Sequence, residues 1–249
     1  MSYQDINQAT IDRWVSKGWV WGKPISQETF RQAKKGKWDV LLTPTKSVPK
    51  SWFLDFKGLK ILGLASGGAQ QMPIFCALGA TCTVLDYSKK QLESERIFAK
   101  KAGYEITIVH HDMTKILPFN DESFDLVFHP VSNVYIETVE GLFKEIARVL
   151  KPNGVLLAGF DNGINFLVEE DEKSIVNSMP YNPLKNQKQY DQAIKNDYGI
   201  QFSHGLSENI GGQIKAGLMI SDIYEDTNGE GYLHELNIPT FYATRSIKR

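Results

Sequence analysis

Continuous apolar runs alternate with amphipathic segments between residues 58 and 160. The runs predict five strands: KILGLA (60–65), TCTVLD (81–86), EITIVHHD (105–112), SFDLVFHP (123–130) and VLLAGF (155–160). Apolar runs of this length are typical of strands buried on both faces of a sheet. Helices are expected between them at about 70–78, 88–102 and 139–150. This alternation predicts an α/β fold in which a parallel sheet with right-handed crossovers carries helices on both faces.

Polar residues, glycines and prolines mark the ends of several predicted helices. Ser26 is placed to cap a helix at 26–35, and Ser88 followed by Gln91 has the spacing of a capping box. Gly103 is expected to end the helix that Ser88 begins. Pro73 is tolerated only if it lies in the first turn of the helix at 70–78. A KPNG turn is expected between the helix at 139–150 and the fifth strand.

The two ends of the chain follow a different pattern. All five tryptophans lie within the first 52 residues, where helices at 8–17 and 26–35 precede the proline-containing stretch TPTKSVPKSW. Loops and helices follow the fifth strand, and then the runs LMISDIYED and TFYATRSIK predict two strands paired as an antiparallel hairpin. We therefore expect an N-terminal tryptophan-rich helical cap over 1–55 and an α/β domain over 56–249. Within that domain, 161–215 is expected to be an insertion at the substrate site.

The composition argues against nucleic acid and membranes as binding partners of this chain. The chain is 42% hydrophobic and 23% charged with a formal net charge of -1, so it offers no electrostatic surface for nucleic acid or an anionic membrane. The N-terminus lacks a signal-peptide pattern and no run has the length of a membrane span, so a cytoplasmic location is expected. Cys76 and Cys82 lack metal-ligand spacing and are expected to be small buried residues. His110, His111 and Asp112 alternate between the faces of a strand, so no metal site is expected.

The first strand ends in a run of small residues, ASGGA at 65–69, which allows the backbone to approach a ligand closely. Ligands of open α/β sheets bind outside the carboxyl ends of the strands. Asp86 ends the second strand, where a carboxylate binds ribose hydroxyls, and Asp112 ends the third strand, near an adenine edge. A tight turn or a helix cap is the alternative for each feature alone. Together, at three successive strand ends, they favour a ligand that contains adenosine.

Two phosphate-binding patterns are absent from the sequence. It contains no GxxxxGK[ST], and the stretch ASGGAQ from Ala65 lacks the first and third glycines of the pyrophosphate-binding GxGxxG. A ligand that carries adenosine without a phosphate therefore fits better. An NAD(P)-dependent oxidoreductase stays open as an alternative, but it would need the missing glycines.

The segments ILGLASGGA, VLDYS, HHDM, NDESFDLVFHP and EIARVLKPNGVLLAGF resemble the class I S-adenosylmethionine-dependent methyltransferases. The similarity covers about 58–160 and is greatest to the small-molecule branch typified by ubiquinone/menaquinone methyltransferases, including bacterial members with LASGGGQQ and HPVSN segments. It implies a Rossmann-like seven-stranded methyltransferase sheet with an antiparallel last strand. It also implies S-adenosyl-L-methionine as the cofactor. The near-neutral charge, the capping segment and the absence of a nucleic-acid signature favour a small-molecule acceptor, and a monomer or homodimer is expected.

The resemblance assigns roles to residues by position. The loop at 65–69 would cradle the methionine part of the cofactor, Asp86 would hold the ribose with Tyr87 beside the adenine, and Asp112 would bracket the adenine with Met113. The cofactor-binding residues expected on this basis are Ala65, Ser66, Gly67, Gly68, Ala69, Gln70, Asp86, Tyr87, Asp112, Met113 and His129.

Three positions depart from the family pattern. Gly63 stands where the family usually has an acid that contacts the ammonium group of the cofactor, and Ala65 and Ala69 stand where it has glycines. Ser66, Gln70 and backbone carbonyls are the candidate replacements for the acid. Its loss also leaves open a protein that binds the cofactor without transferring a methyl group.

His129, at the end of the fourth strand, is the candidate general base, because the ordinary pKa of histidine lies near neutral pH. Its alternatives are a structural hydrogen bond to a neighbouring strand and a contact with the carboxylate of the cofactor. Asn133 and Tyr135 are expected to line the acceptor pocket, with His204 as a further candidate and loop roles as the alternative. Trp21 and its neighbouring indoles either approach the sulfonium and the acceptor or anchor the cap helices on the sheet.

Overall fold

A computed structural model describes the whole chain, residues 1–249. One seven-stranded sheet forms its centre, with the strand order β3-β2-β1-β4-β5-β7-β6. The strands are β1 (Lys60–Leu64), β2 (Thr81–Asp86), β3 (Thr107–His110), β4 (Phe124–His129), β5 (Leu150–Asp161), β6 (Leu218–Asp226) and β7 (Phe241–Lys248). Strands β1 to β5 pair in parallel, whereas β7 pairs antiparallel with both β5 and β6. The predicted sheet, with its antiparallel last strand and C-terminal hairpin, is confirmed.

Helices cover both faces of this sheet. They are α1 (Tyr3–Ser16), α2 (Gln27–Lys34), α3 (Met72–Ala77), α4 (Lys89–Ala102), α5 (Glu140–Val149), α6 (Gln187–Lys195), α7 (Leu206–Lys215) and α8 (Tyr232–Glu235). Alternate residues of β1 serve opposite faces: Leu62 packs in a core cluster with Phe143 of α5, and Ile61 packs in a second cluster with Trp52 and Phe75. This two-residue alternation is what a strand buried on both faces requires. None of the helices combines the length and apolar character that crossing a membrane requires.

The N-terminal segment contributes to the second core cluster instead of lying apart from the sheet. Trp52 is buried there, and its indole Nε1 donates a hydrogen bond of 2.7 Å to Asp222 of β6. Cys82 is buried in the same cluster, as expected, and Cys76 is half-buried beside it. A Cβ on Gly159 would stand 2.1 Å from the carbonyl oxygen of Leu42. The segment around residue 42 therefore crosses directly over β5, which brings the following residues to the carboxyl end of that strand.

Two strand boundaries differ from the prediction. Strand β3 ends at His110, which pairs with Asp86, the last residue of β2. Asp112 therefore lies in the loop beyond the strand and does not end it. Strand β5 begins at Leu150 and includes the KPNG segment that was expected to be a turn. Asn153 within that segment has a φ of +63°, so the chain turns locally inside the strand assignment.

The helix caps follow the predicted chemistry with one exception. Ser26 and Ser88 each accept a hydrogen bond from a backbone N–H three residues later, and Gly103 ends α4 at a φ of +71°. The second half of the predicted capping box is wrong, because the Gln91 side chain does not return to the helix start. It donates instead to the carbonyl of Trp21, 3.3 Å away in the N-terminal segment. A tertiary contact has replaced the local one.

Candidate active site

A cavity of about 430 Å³ lies at the carboxyl ends of the parallel strands and is covered by the N-terminal segment. Each parallel strand contributes to its wall. These contributions are Ala65, Ser66 and Gly67 after β1, Asp86 at the end of β2, His111, Asp112 and Met113 after β3, Pro130, Val131 and Ser132 after β4, and Asp161 at the end of β5. An open α/β sheet is expected to bind its ligand at this edge.

The small-residue loop after β1 is held in a tight left-handed conformation. Ala65 has a φ of +49°, Gly68 of +94° and Ala69 of +57°. The two alanines therefore adopt a backbone geometry that is ordinarily left to glycine. Gly67 faces the end of β2, where its N–H donates to Oδ2 of Asp86 over 3.0 Å and an added Cβ would stand 2.9 Å from the same oxygen. Glycine at position 67 is thus required for the loop to close on Asp86.

Asp86 is held by backbone donors on both of its carboxylate oxygens. Oδ2 accepts from Gly67, and Oδ1 accepts from the N–H of Ser88 over 2.8 Å. Burial raises the pKa of Asp86, against the lowering effect of these hydrogen bonds. Each oxygen keeps a further lone pair, so the carboxylate remains able to accept hydrogen bonds from a bound diol.

Tyr87, Asp112 and Met113, the residues predicted to surround the adenine, line the cavity together with Asp86. The Tyr87 ring stacks on His110 with centroids 5.3 Å apart and an interplanar angle of 1°. Asp112 accepts the N–H of Thr114 over 2.8 Å, which fixes the loop after β3. Of the stacked pair only Tyr87 belongs to the cavity wall, and His110 supports its ring from outside.

Glu95 of α4 supports the small-residue loop from behind, a role that the sequence reasoning missed. It is fully buried, and its Oε2 accepts the N–H of Ala69 over 2.8 Å while Oε1 accepts the hydroxyl of Tyr104 over 3.0 Å. Burial is the main cause that raises the pKa of Glu95 to about 7, with a smaller contribution from the negative charge of Asp86. The carbonyl of Ala69 in turn accepts the N–H of Ile25. Both backbone groups of Ala69 are therefore fixed.

Gly63, the position at which the family usually has an acid, has no room for a side chain. A Cβ there would stand 2.6 Å from the sulfur of Met72 and 2.8 Å from its methyl carbon. Met72 is itself fully buried. A thioether therefore fills the space that an acidic side chain would take. Of the candidate replacements for that acid, Ser66 lines the cavity and its hydroxyl donates to Oε1 of Gln71 over 3.1 Å.

Three tryptophans of the N-terminal segment, Trp14, Trp19 and Trp21, line the cavity. The segment is tied to the loop after β1 by Gln70, whose Nε2 donates to the carbonyl of Val20 over 2.8 Å and to that of Lys23 over 3.2 Å. Helix α1 is tied to the end of β2 by Gln8, which donates to the carbonyl of Tyr87 over 2.8 Å. We call residues 3–23 the lid.

His129 lies outside the cavity wall. It is fully buried, with Nδ1 at 2.9 Å from the carbonyl oxygen of Leu64 and Nε2 at 2.7 Å from Oδ1 of Asn133. Burial lowers the pKa of His129 more strongly than these two hydrogen bonds raise it. Since both ring nitrogens are engaged by protein atoms, this geometry favours the structural alternative over a general base. Asn133 is also buried outside the cavity, with its amide directed at Asn209 over 3.0 Å.

The other candidate residues divide between the cavity and the structure behind it. Tyr135 and Trp21 line the cavity. His204 does not, and its Nε2 lies 2.9 Å from the carbonyl of Ile136 and 3.1 Å from that of Asn133. His204 therefore ties the segment just before α7 to the loop that follows β4. Gly68 and Ala69 shape the loop from outside the cavity wall, whereas the rest of the predicted cofactor residues, His129 apart, line it.

Several cavity residues were absent from the sequence-based set. They include Gln8, Leu41, Thr43, Gln71, Gln91, Asp161, Gln201 and Phe241. Asp161 carried a signal, because it directly follows a predicted strand as Asp86 does. Gln91 carries a further observation: its Oε1 is buried without a hydrogen-bond partner.

The sheet order, the small-residue loop and the strand-end carboxylates define an α/β protein that binds an adenosine-containing ligand. Residues 62–158 match the family described as a methyltransferase domain. Over 97% of both chains, the protein is 42% identical to an uncharacterized methyltransferase of Bacillus subtilis strain 168, YbaJ. Over 100 residues, 39% of each chain, it is 40% identical to the demethylmenaquinone methyltransferase of Clavibacter sepedonicus.

A solved structure shares the fold. The S-adenosylmethionine dependent methyltransferase from Mesorhizobium loti aligns with a TM-score of 0.65 at 19% identity, over 80% of this chain and 95% of that one. The chain belongs to the class I S-adenosylmethionine-dependent methyltransferase family. It is accordingly an S-adenosylmethionine-dependent methyltransferase with S-adenosyl-L-methionine as its cofactor, and the oxidoreductase alternative is wrong.

The cavity fits this cofactor on two observations of its own. Asp86 keeps free lone pairs, and the backbone of Gly67 packs so closely against this carboxylate that a side chain at position 67 would not fit. Gln91 presents a buried acceptor oxygen without a partner, and an unsatisfied buried acceptor costs about 1–3 kcal/mol until a donor reaches it. A ligand with hydroxyl donors can use the remaining lone pairs of Asp86, and a donor that reaches Oε1 of Gln91 would satisfy it.

Proposed function

We propose that this enzyme methylates a small, apolar or aromatic molecule. The observation that carries the proposal is the character of the covered cavity. Its wall contains no lysine or arginine, and about half of its residues are apolar or aromatic, including three tryptophans of the lid. A cavity of about 430 Å³ under a lid suits a small ligand. A polynucleotide would require a basic, open surface instead.

The roles of the individual residues in cofactor binding form part of this proposal. Asp86 would accept the ribose hydroxyls, and Tyr87, Asp112 and Met113 would surround the adenine. The loop at 65–69 and Gln70 would lie along the methionine part. The bound cofactor supplies a methyl group activated on a sulfonium sulfur, so the chain itself has to bind, orient and exclude water.

The lid would help to orient the two reactants and to exclude water from the cavity. Holding two reactants in near-attack geometry accounts for about 7–11 kcal/mol of barrier in favourable cases. The lid is tied to the loop after β1 through Gln70 and to the end of β2 through Gln8. In this position the lid covers part of the cavity and limits its contact with bulk water. The indole of Trp21 and the ring of Tyr135 would then face the acceptor.

A relative supports a small-molecule acceptor as well. The Clavibacter enzyme acts, by its name, on demethylmenaquinone. Insertion residues contribute to the same pocket, because Gln201 lines the cavity. A cytoplasmic location and a monomeric or homodimeric state remain predictions that belong to this proposal.

Calorimetric titration with S-adenosylhomocysteine tests the cofactor part of the proposal. We expect binding in the micromolar range and a rise in Tm that grows with ligand concentration, because the ligand binds only the folded chain. Absence of both effects at millimolar concentration would refute it. Formation of S-adenosylhomocysteine from S-adenosylmethionine, measured over a panel of small aromatic and aliphatic acceptors, tests the substrate class.

A second candidate function is a binding protein that retains the cofactor without transfer. The observation that favours it is the missing acid at Gly63, whose space is filled by Met72. Tight binding of S-adenosylhomocysteine without methyl transfer to any acceptor of a broad panel would support this function and contradict the first.

A further inference from the structure

Asp161 is a buried carboxylate in the cavity that neither the sequence reasoning nor the cofactor roles account for. It is the last residue of β5, it lines the cavity, and its exposed fraction is 8%. Its backbone pairs with Phe241 at the start of β7, another residue of the cavity wall. A charged side chain in such surroundings is costly unless it has a partner or a function.

The carboxylate is oriented by neutral donors and has no cationic partner. Oδ1 accepts the N–H of Gly163 over 2.6 Å, and Oδ2 accepts Nδ2 of Asn165 over 2.7 Å. None of the ion pairs of the chain involves Asp161. Each oxygen of a carboxylate has two lone pairs, so one on each oxygen remains for a ligand.

The strand order separates Asp161 from the cofactor groups. The loop at 65–69, Asp86 and Asp112 follow β1, β2 and β3, which form one half of the sheet, whereas β5 lies beyond β4 in the other half. The cavity wall contains three carboxylates, and Asp161 is the one on this second side. Leu41, Leu42, Pro44 and Phe241 are wall residues contributed by the segment over β5 and by its neighbour β7. Asp161 thus supplies a negative group to a mainly apolar region.

We propose that Asp161 binds the nucleophilic atom of the acceptor and takes its proton, so that the substrate is an apolar molecule with a hydroxyl or an amine N–H. This inference rests on the proposed function. A lone pair of the acceptor oxygen or nitrogen forms the new bond to the methyl carbon, and the sulfur–carbon bond breaks with its electrons retained by sulfur. The acceptor proton passes to the Asp161 carboxylate and from there to water.

The environment of Asp161 suits both steps. Burial raises the pKa of Asp161 to about 6, and no charged neighbour contributes to that change. The carboxylate is therefore ionised at neutral pH but is a stronger base than an exposed aspartate. Burial is the main cause that raises the pKa of Tyr242 on β7, and the negative charge of Asp161 makes a smaller contribution. His129 offers no comparable base, since both of its nitrogens are engaged.

Binding of three matched probes tests the inference without turnover. The probes are 4-ethylphenol, 4-ethylaniline and 4-ethyltoluene, titrated into the full chain saturated with S-adenosylhomocysteine and followed by tryptophan fluorescence excited at long wavelength. We expect the phenol or the aniline to bind about tenfold or more tightly than the toluene, as a hydrogen bond to a charged group predicts. The stronger of the two identifies the hydroxyl or the amine class.

Three variants are compared in the same titration. Asp161→Asn keeps the shape and one acceptor oxygen, and Asp161→Leu removes both acceptors. The preference for the donor probe should shrink in the first and vanish in the second. Asp171→Asn, an exposed aspartate of the same insertion, is the matched charge control and should retain it. An equal preference in the wild type and both Asp161 variants, or no preference in the wild type, overturns the inference.

Methyl transfer to the preferred probe gives the second readout. We expect kcat/KM of Asp161→Asn to fall about 100-fold or more, the usual range for a general base. The wild-type kcat/KM should rise with pH through an apparent pKa near 6, and this limb should be absent in the variant. Retention of the limb in Asp161→Asn contradicts the proton-transfer role. Failure of the wild type to bind S-adenosylhomocysteine would instead refute the proposed function, so the two failures are distinguishable.

Discussion

Replacement of Glu95 by glutamine should make the protein more resistant to unfolding above neutral pH. Glu95 is fully buried beneath the small-residue loop, and its burial raises the pKa to about 7 from an ordinary value of 4.5. The folded state therefore binds this proton more tightly than the unfolded state does. Stability from that difference is complete below about pH 4.5 and is lost as the pH rises through about 7.

The magnitude follows from the same two pKa values. Each tenfold difference in proton affinity is worth about 1.4 kcal/mol, so the wild type should lose about 3 kcal/mol between pH 4.5 and pH 8 from this group. Glutamine keeps an acceptor oxygen for the N–H of Ala69 and an amide group toward Tyr104, but it does not titrate. The difference in free energy of unfolding between Glu95→Gln and the wild type should therefore shift by about 3 kcal/mol in favour of the variant.

Urea unfolding at pH 5, 6, 7 and 8, followed by tryptophan fluorescence, measures this difference. Buried carboxylates that do not interact with Glu95, such as Asp161, titrate in both proteins, so their contributions cancel in the comparison. Glu93→Gln is the matched control, because Glu93 lies on the same helix but is exposed and pairs with Arg96. Its difference from the wild type should stay nearly constant with pH. Parallel curves for Glu95→Gln and the wild type would refute the reasoning from burial.

Three further predictions concern the loop, the lid and the buried histidine. Ala65→Gly should stabilise the protein by up to about 1 kcal/mol because it relieves a φ of +49°, whereas Ala147→Gly inside α5 should destabilise it by about 1 kcal/mol or more; equal losses in urea unfolding would contradict this. Gln70→Ala should speed trypsin cleavage at Lys17, an exposed turn residue of the lid, because the variant loses both hydrogen bonds to the lid; an unchanged cleavage rate would show that the lid is held otherwise. His129→Ala should lower the free energy of unfolding by about 2–4 kcal/mol through a cavity and lost hydrogen bonds. It should leave the pH dependence of transfer intact, and loss of the limb near pH 6 would reassign the base.

The parts of the fold that the sequence predicts are those set by local pattern. Strand β1 is an unbroken apolar run because it is covered on both faces, and the caps at Ser26, Ser88 and Gly103 use chemistry confined to a few residues. The small-residue loop and Asp86 are predictable for the same reason, since both lie at strand ends. Asp161 is predictable by the same rule and was overlooked because no family motif marks it.

The remaining site residues depend on contacts between distant segments. Glu95 lies in the polar stretch ESER, which is typical of an exposed helix surface, yet it is buried because it accepts the N–H of Ala69. Gln91 has the spacing of a capping box, but its side chain contacts Trp21, 70 residues away in sequence. His129 is a residue type common in catalytic sites and lies at a strand end. Only the tertiary structure shows that Leu64 and Asn133 engage both nitrogens of its ring.

The substitution of glycine for the family's acid at position 63 has a structural consequence beyond the missing charge. Without a side chain there, the thioether of Met72 packs against β1, and the floor of the loop becomes apolar. A negative group in that position would be buried beside a sulfur and a methyl group without a partner, which is costly. Neutral acceptors around the loop, above all the unpartnered Oε1 of Gln91, are then what a positively charged ligand group can use. Gln91 already joins the lid to the small-residue loop, because its Nε2 donates to the carbonyl of Trp21 and its backbone carbonyl accepts the N–H of Gly68. A ligand group bound by Gln91 should therefore make cofactor binding and lid closure depend on one another.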